Sequence, residues 1–347
     1  MKAAVVHARG DLRLEQLPIP EVPAGSIRVR VRACAICGTD LRIYRKGDHR
    51  AEYPVVVGHE IAGVVDAIAA GVTGVREGDR VCVAPGHGCG TCRMCLQGQP
   101  NVCLTPHPSL GYRVNGGFEE YFAVPENIFR LGFVNPIPPQ LTFRQASLSE
   151  IIACCLNAQT NTPVRPGDTV LVIGSGPAGI IHSRLARLQG AGRVLLTQRS
   201  RARLDLAAAR FPVDRIIASS EEDLEKAVME ETRGEGADVV YVCAPSAEAQ
   251  ETAVRLAAPR GRVNLFGGLP KGETSIRIDA NTIHYKELFI GGASSSLPEG
   301  NREALRLLAA GEIDADRLIT HTFPIDEIVR AFDAAEGRQG IKVVVEL

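Results

Sequence analysis

Between positions 27 and 32 apolar and basic side chains alternate strictly, with Ile27, Val29 and Val31 interleaved with Arg28, Arg30 and Arg32. A period of two puts the aliphatic set on one face, so the segment is predicted to be a strand buried on one side and solvated on the other. Glycine and proline punctuate the chain from there to about Glu126, the pattern of a β-rich domain with long loops. The rhythm changes after VRPGD at 164–168. An unbroken aliphatic strand, TVLVI at 169–173, runs into GSGPAG and a helix ending near Gln189. Strands at 193–197, 215–218, 238–243 and 261–266 then alternate with helices through LDLAAAR and near 221–231 and 247–257. Repeated βα units of this length imply a parallel sheet with helices on both faces. From about Gly291 the alternation ends; 301–310 and 325–336 read as helices, and the closing IKVVVEL as a strand that packs back on the first domain. The expected organisation is α/β: a β-rich domain over 1–153 completed by 291–347, and a parallel α/β domain over 154–290.

A length of 347 residues exceeds one ordinary domain and agrees with that division. The net charge of −1, from 39 basic and 40 acidic residues, supplies no field that would draw in nucleic acid or an anionic membrane, and neither partner is expected. No apolar run approaches the roughly 18 residues needed to span a bilayer, and the opening MKAAVVHARGDLRLEQ has no long apolar core, so a cytoplasmic protein is expected. Ten cysteines in such a chain point to a reducing compartment, where thiols serve metals or cores.

Four of them, Cys89, Cys92, Cys95 and Cys103, fall in one stretch, GCGTCRMCLQGQPNVC. The spacing lets a loop turn back on itself with all four sulfurs inward, the ligand set of a structural zinc. Free thiols and two disulfides are the alternatives, and crowded solvated thiolates would repel one another unless oxidised or metallated. Four protein ligands leave no open position, so chemistry must lie elsewhere.

The string Gly174-Ser-Gly-Pro-Ala-Gly179 follows a buried strand and opens a helix, the setting in which G-x-G-x-x-G binds a dinucleotide. Gly174 permits the tight turn, Gly176 lets backbone approach a pyrophosphate, Gly179 allows close helix–strand packing, and Pro177 and Ala178 begin the helix whose amino end attracts phosphate. At the end of the next strand an acidic residue would select NAD; here the chain reads Gln198-Arg199-Ser200-Arg201-Ala202-Arg203. With no carboxylate and guanidinium groups at hand, NADP is favoured and NAD remains possible, the alternative being a solvated basic helix start.

Cys37 in CGTD and His59 and Glu60 in VVVGHE form a second candidate metal group, the mixed S/N/O set of an open catalytic zinc. Taken with GHEIAGVVDAIAAGV (58–72), the cysteine lobe, GGFEEYFAVP (116–125), GSGPAG and THTFPIDE (320–327), the chain resembles the zinc-containing medium-chain dehydrogenase/reductases, the alcohol dehydrogenase superfamily, nearest their sorbitol (polyol) branch. The resemblance implies a GroES-like catalytic domain built from both chain ends and a Rossmann NAD(P)-binding domain between them. It implies two zinc ions per chain, and Cys37 and His59 as catalytic zinc ligands. Glu60 is implied as ligand or close partner, and Thr39 as the hydroxyl that relays the substrate proton. Glu150, in SLSEIIACCLNA, falls where the polyol branch has a glutamate near the metal; Cys154, one turn on, is a rival ligand, and Cys154 and Cys155 are read as packing residues.

Three departures stand out. Arg42 replaces a histidine that passes the proton to solvent in many relatives, and a guanidinium cannot act as a base at neutral pH. GGASSSLPEG (291–300) replaces an aromatic and arginine group of the animal sorbitol enzymes, and Gln198-Arg199 resembles NADP-using ketose reductases. The implied reaction is hydride transfer between NAD(P) and a secondary alcohol of a polyol, sugar or cyclitol, with zinc polarising the alcohol or ketone oxygen, in a homo-oligomer, a tetramer or dimer. The alternatives are a threonine or simple secondary alcohol dehydrogenase and, more distantly, a non-catalytic nucleotide-binding relative, which should have lost the zinc ligands or the glycine turn.

Overall fold

A computed structural model describes residues 1–86, 88–105, 110–272 and 274–347. It separates into two compact units, Met1–Ala153 with Ser295–Leu347, and Cys154–Ser294. Among the described residues no helix is long and apolar enough to cross a membrane.

In the first unit the predicted strand spans Ile27–Ala35, and its burial follows the sequence alternation: Ile27, Val29 and Val31 are buried while Arg30 is exposed. It lies at the heart of a sheet ordered Ile319–Pro324, Lys342–Glu346, Ile27–Ala35, Glu60–Ile68, Arg80–Val83, Val134–Pro136, with Tyr121–Ala123 also pairing with Ile27–Ala35. The C-terminal strand pairs antiparallel with Ile27–Ala35, Val344 opposite Ala35 and Val345 opposite Cys34. A hairpin of Lys2–Ala8 and Asp11–Gln16 joins Val55–Val56 in a second small sheet. Phe118, Phe122, Phe133 and Phe332 are fully buried in the shared core, so residues from both ends of the chain hold this unit together.

The second unit is an all-parallel sheet ordered Arg215–Ala218, Arg193–Gln198, Thr169–Ile173, Ala237–Val242, Ala257–Leu265, Phe289–Gly292. Val170, Leu171 and Val172 are all 0% exposed. Consecutive strand residues point to opposite faces, so both faces of the sheet are covered, as a doubly wound fold requires. The edge strand Phe289–Gly292, in register with Arg262–Leu265, carries the unit past the boundary expected at 290. Its last two residues are glycines and it follows a seven-residue helix, Ala280–Lys286, so neither propensity nor period marks it in the sequence.

Candidate active site and metal centres

The helix Gly38–Lys46 begins at Cys37, and the strand Glu60–Ile68 begins directly after His59. These two element starts converge: one ligand atom from each of Cys37, His59 and Glu60 lies within 4.8 Å of the others. His59 is 8% exposed and Glu60 fully buried, while Cys37 is half-buried.

Asp40, fully buried, organises the group. Its Oδ2 accepts the Cys37 backbone N–H at 2.8 Å, its Oδ1 accepts Gly58 N–H at 3.0 Å, and the same Oδ1 lies 3.2 Å from His59 Nδ1. Occupying Nδ1 leaves Nε2 as the imidazole's ligand atom, the carboxylate–histidine arrangement that orients metal-bound histidines. Although it stands in the CGTD motif, the sequence reading gave Asp40 no role. Lys342 was also missed: its Nζ donates to Glu60 Oε1 at 2.5 Å, from the C-terminal strand, with 4% of its side chain exposed.

The electrostatics favour a cation here. Burial pushes the Glu60 carboxyl up, Lys342 opposes this and Glu150 adds to it, leaving a pKa of about 7. Burial opposes the His59 imidazolium, but the charges of Asp40 and Cys37 outweigh it and hold His59 well above its ordinary range. Glu60 Oε2 is buried with no hydrogen-bond partner, a group that is costly to leave unsatisfied. A divalent cation would satisfy that oxygen and offset the carboxylates, so the donor set fits zinc.

Glu150 lies in the first turn of the helix Ser149–Asn161, is 5% exposed, and acts electrostatically on both Glu60 and Lys342. The structure does not bring it into ligand distance with Cys37, His59 and Glu60. Cys154 does not join that group either, and the buried Cys155 Sγ lies 3.8 Å from the Ala178 carbonyl. Thr39 is half-buried in the first turn of the Cys37 helix. Arg42 donates from Nε to Asp48 Oδ2 and from Nη2 to Tyr112 Oη, each at 3.1 Å.

In the cysteine lobe, Sγ separations are 4.0 Å for Cys89–Cys95, 3.6 Å for Cys92–Cys95 and 3.7 Å for Cys92–Cys103. Disulfide sulfurs sit at about 2.05 Å, whereas four sulfurs about 2.3 Å from a tetrahedral zinc are roughly 3.8 Å apart. The lobe is shaped for a metal and not for disulfides. Cys89 Sγ also accepts N–H groups from Thr91 and Cys92 at 3.4 and 3.2 Å; the Thr91 contacts above all bring its pKa down to about 5, which favours the thiolate a metal needs.

In the second unit Gly174 has φ +113°, and a Cβ there would meet Ala244 N at 3.1 Å. A Cβ on Gly179 would sit 1.7 Å from the Gly174 carbonyl oxygen, so only glycine lets the helix pack this closely on the turn. At Gly176, the N-cap of helix Pro177–Leu188, the same Cβ position has open space around it, which leaves room for a pyrophosphate at the helix start. Gln198 ends its strand and accepts the Arg199 N–H through Oε1 at 3.0 Å. Ser200 caps the next helix by position only, its side chain making no capping bond. Arg201 is committed to Glu221 at 2.9 Å.

Residues 23–132 match the family described as alcohol dehydrogenase GroES-like domain, and 177–310 match zinc-binding dehydrogenase. The chain is 31% identical to a sorbitol dehydrogenase of Halalkalibacterium halodurans, covering 99% of each sequence. It is 34% identical to an L-threonine 3-dehydrogenase of Pyrococcus horikoshii, covering 96% of this chain and 94% of the relative. A crystal structure described as a zinc-binding dehydrogenase from Sinorhizobium meliloti 1021, bound to NADP, superposes with a TM-score of 0.91 at 31% identity, covering 100% of this chain and 99% of the other. Fold, metal-ligand geometry and these matches define a zinc-dependent, NAD(P)-linked alcohol dehydrogenase. The chain belongs to the zinc-containing medium-chain dehydrogenase/reductase family, the alcohol dehydrogenase superfamily.

Proposed function

We propose that this enzyme interconverts a polar secondary alcohol, a polyol, sugar or cyclitol, with its ketone, using one catalytic and one structural zinc per chain and preferring NADP. The observation that carries the reading is the convergence of Cys37, His59 and Glu60, with Glu60 Oε2 left for a cation. Zinc held by Cys37, His59 and a glutamate supplies a Lewis acid for the alcohol or ketone oxygen. Asp40 fixes the His59 ring and Lys342 holds one Glu60 oxygen, so the donors are set before substrate arrives. Thr39 Oγ1 accepts a hydrogen bond from the substrate hydroxyl and, as that proton moves to it, passes its own hydroxyl proton on to solvent, while the glycine turn at 174–179 seats the dinucleotide pyrophosphate. Arg42, already bonded to Asp48 and Tyr112, is no onward proton acceptor. The identity to sorbitol dehydrogenases favours polyols, while that to threonine dehydrogenases supports an amino alcohol as the second reading. Measuring kcat/KM across polyols, cyclitols and amino alcohols with each cofactor separates them: the highest value is expected for a polyol or cyclitol, and a maximum for threonine or a simple alcohol would replace this reading.

Glu150 is assigned here as the residue that tunes or ligates the catalytic zinc. Glu150→Ala is expected to lower kcat by about 10- to 100-fold and weaken zinc retention, while Cys154→Ala mainly perturbs packing. Loss of the catalytic zinc from Cys154→Ala alone would reverse the assignment.

The NADP preference rests on the missing carboxylate at Gln198 and on Arg199 and Arg203 beside it. A hydrogen bond to a charged group contributes roughly 1.5–3 kcal/mol, about tenfold or more in affinity. Replacing Arg199 is expected to damage kcat/KM for NADP far more than for NAD, and Gln198→Asp to shift the ratio towards NAD. A wild-type preference for NAD on a shared substrate would mean that these side chains face solvent.

Tyr285 and Phe289, 79% and 62% exposed at the edge-strand end of the second unit, support a homo-oligomer, which sedimentation would read directly. The lobe sulfurs, too far apart for disulfides, support a cytoplasmic location, which fractionation of the source cells would test.

A further inference from the structure

Arg42, on the helix that begins at Cys37, belongs to a built cluster. Asp48, with 5% of its side chain exposed, accepts Arg50 Nε at 3.0 Å and Arg50 Nη2 at 2.9 Å, in addition to Arg42 Nε at 3.1 Å. The Tyr112 oxygen accepts Arg42 Nη2 at 3.1 Å and Arg50 Nη2 at 3.0 Å, and the Arg50 guanidinium also lies 4.6 Å from the centre of the Tyr112 ring. Both guanidiniums are therefore fixed in place. Their Nη1 groups make no hydrogen bond with the described residues, and the two side chains stay 39% and 54% exposed. One carboxylate serves two cations, so the cluster keeps a net positive charge. Glu52, the other carboxylate of this loop, pairs with Arg113 at 2.9 Å, and His49, 3.6 Å from Asp48, brings no negative charge.

The cluster lies beside the metal group. Arg42 is one turn beyond Thr39 on the helix that Cys37 begins, a spacing that puts both side chains on one face. Gly111, next to Tyr112, runs against the backbone that leads into His59: a Cβ there would sit 3.3 Å from Gly58 N and 3.4 Å from Val57 Cα. Two planar, pre-positioned guanidiniums with unused donors are suited to an oxyanion, which they can meet with charge-assisted hydrogen bonds.

We infer that Arg42 and Arg50 are specificity-determining residues that receive an oxyanion substituent, phosphate or carboxylate, carried by the alcohol substrate. This rests on the dehydrogenase reading above and narrows its substrate class. The test compares kcat/KM for a neutral polyol, the same polyol as its monophosphate, and the matching aldonate, at saturating cofactor. At least one anionic member is expected to exceed the neutral polyol by about tenfold or more, and which one it is distinguishes phosphate from carboxylate. Arg42→Met and Arg50→Met are each expected to collapse that ratio, with Arg50→Lys restoring part of it. Inorganic phosphate should compete with the neutral polyol in the wild-type enzyme, a readout that does not depend on the variants folding. A wild-type preference for the neutral polyol, no competition by phosphate, or an unchanged ratio in both methionine variants overturns the inference while the dehydrogenase reading stands. Failure to oxidise any alcohol with either cofactor overturns both.

Discussion

Replacing Cys37 by serine is expected to lower kcat by about a thousandfold or more, roughly 4 kcal/mol on the barrier, while the thermal midpoint stays close to that of the wild type. The thiol is one of three converging donors, and a neutral hydroxyl is a far poorer zinc ligand than a thiolate. The fold should survive because Cys37 starts the helix Gly38–Lys46, a position where serine is among the preferred residues. The bond from its backbone N–H to Asp40 at 2.8 Å does not depend on the side chain. Steady-state kinetics with a melting curve check this; wild-type turnover in the variant would remove Cys37 from the machinery.

Cys92→Ser should do the reverse. Cys92 Sγ lies 3.6 Å from Cys95 and 3.7 Å from Cys103, so its loss breaks a closed ligand set that has no open position for substrate. Structural zinc contributes folding free energy directly. A loss of about 3 kcal/mol in a unit of this size corresponds to a fall of roughly 6–12 °C in Tm. Turnover per folded molecule, assayed well below that Tm, is expected to remain near wild type. Unchanged stability with lost turnover would give the lobe the catalytic role assigned here to Cys37.

The parts of this molecule that could be read from the sequence are those encoded locally. The alternation from Ile27 to Arg32 lies within one strand, the glycine turn is six consecutive residues, and the four lobe cysteines fall within one loop and its short helices. What was missed is encoded by distance. Lys342 meets Glu60 across 282 residues, because the C-terminal strand pairs with Ile27–Ala35. Asp40 is part of a visible motif, yet its bonds to Gly58 and His59 exist only after the helix and the strand meet. Arg201 looks like a phosphate ligand in the sequence and is instead paired with Glu221, twenty residues on. Glu150 was placed near the metal by resemblance; the structure shows its charge acting on Glu60 without bringing it into the ligand group.

Each chain is proposed to hold two zinc ions with separable roles, and zinc content per chain, measured with activity on the same purified protein, reads this out. Two zinc ions are expected in the wild type. Cys37→Ser should retain the zinc of the cysteine lobe while losing the other along with turnover. Fully active wild-type enzyme with one zinc per chain, or none, would rule out two zinc sites with separate roles.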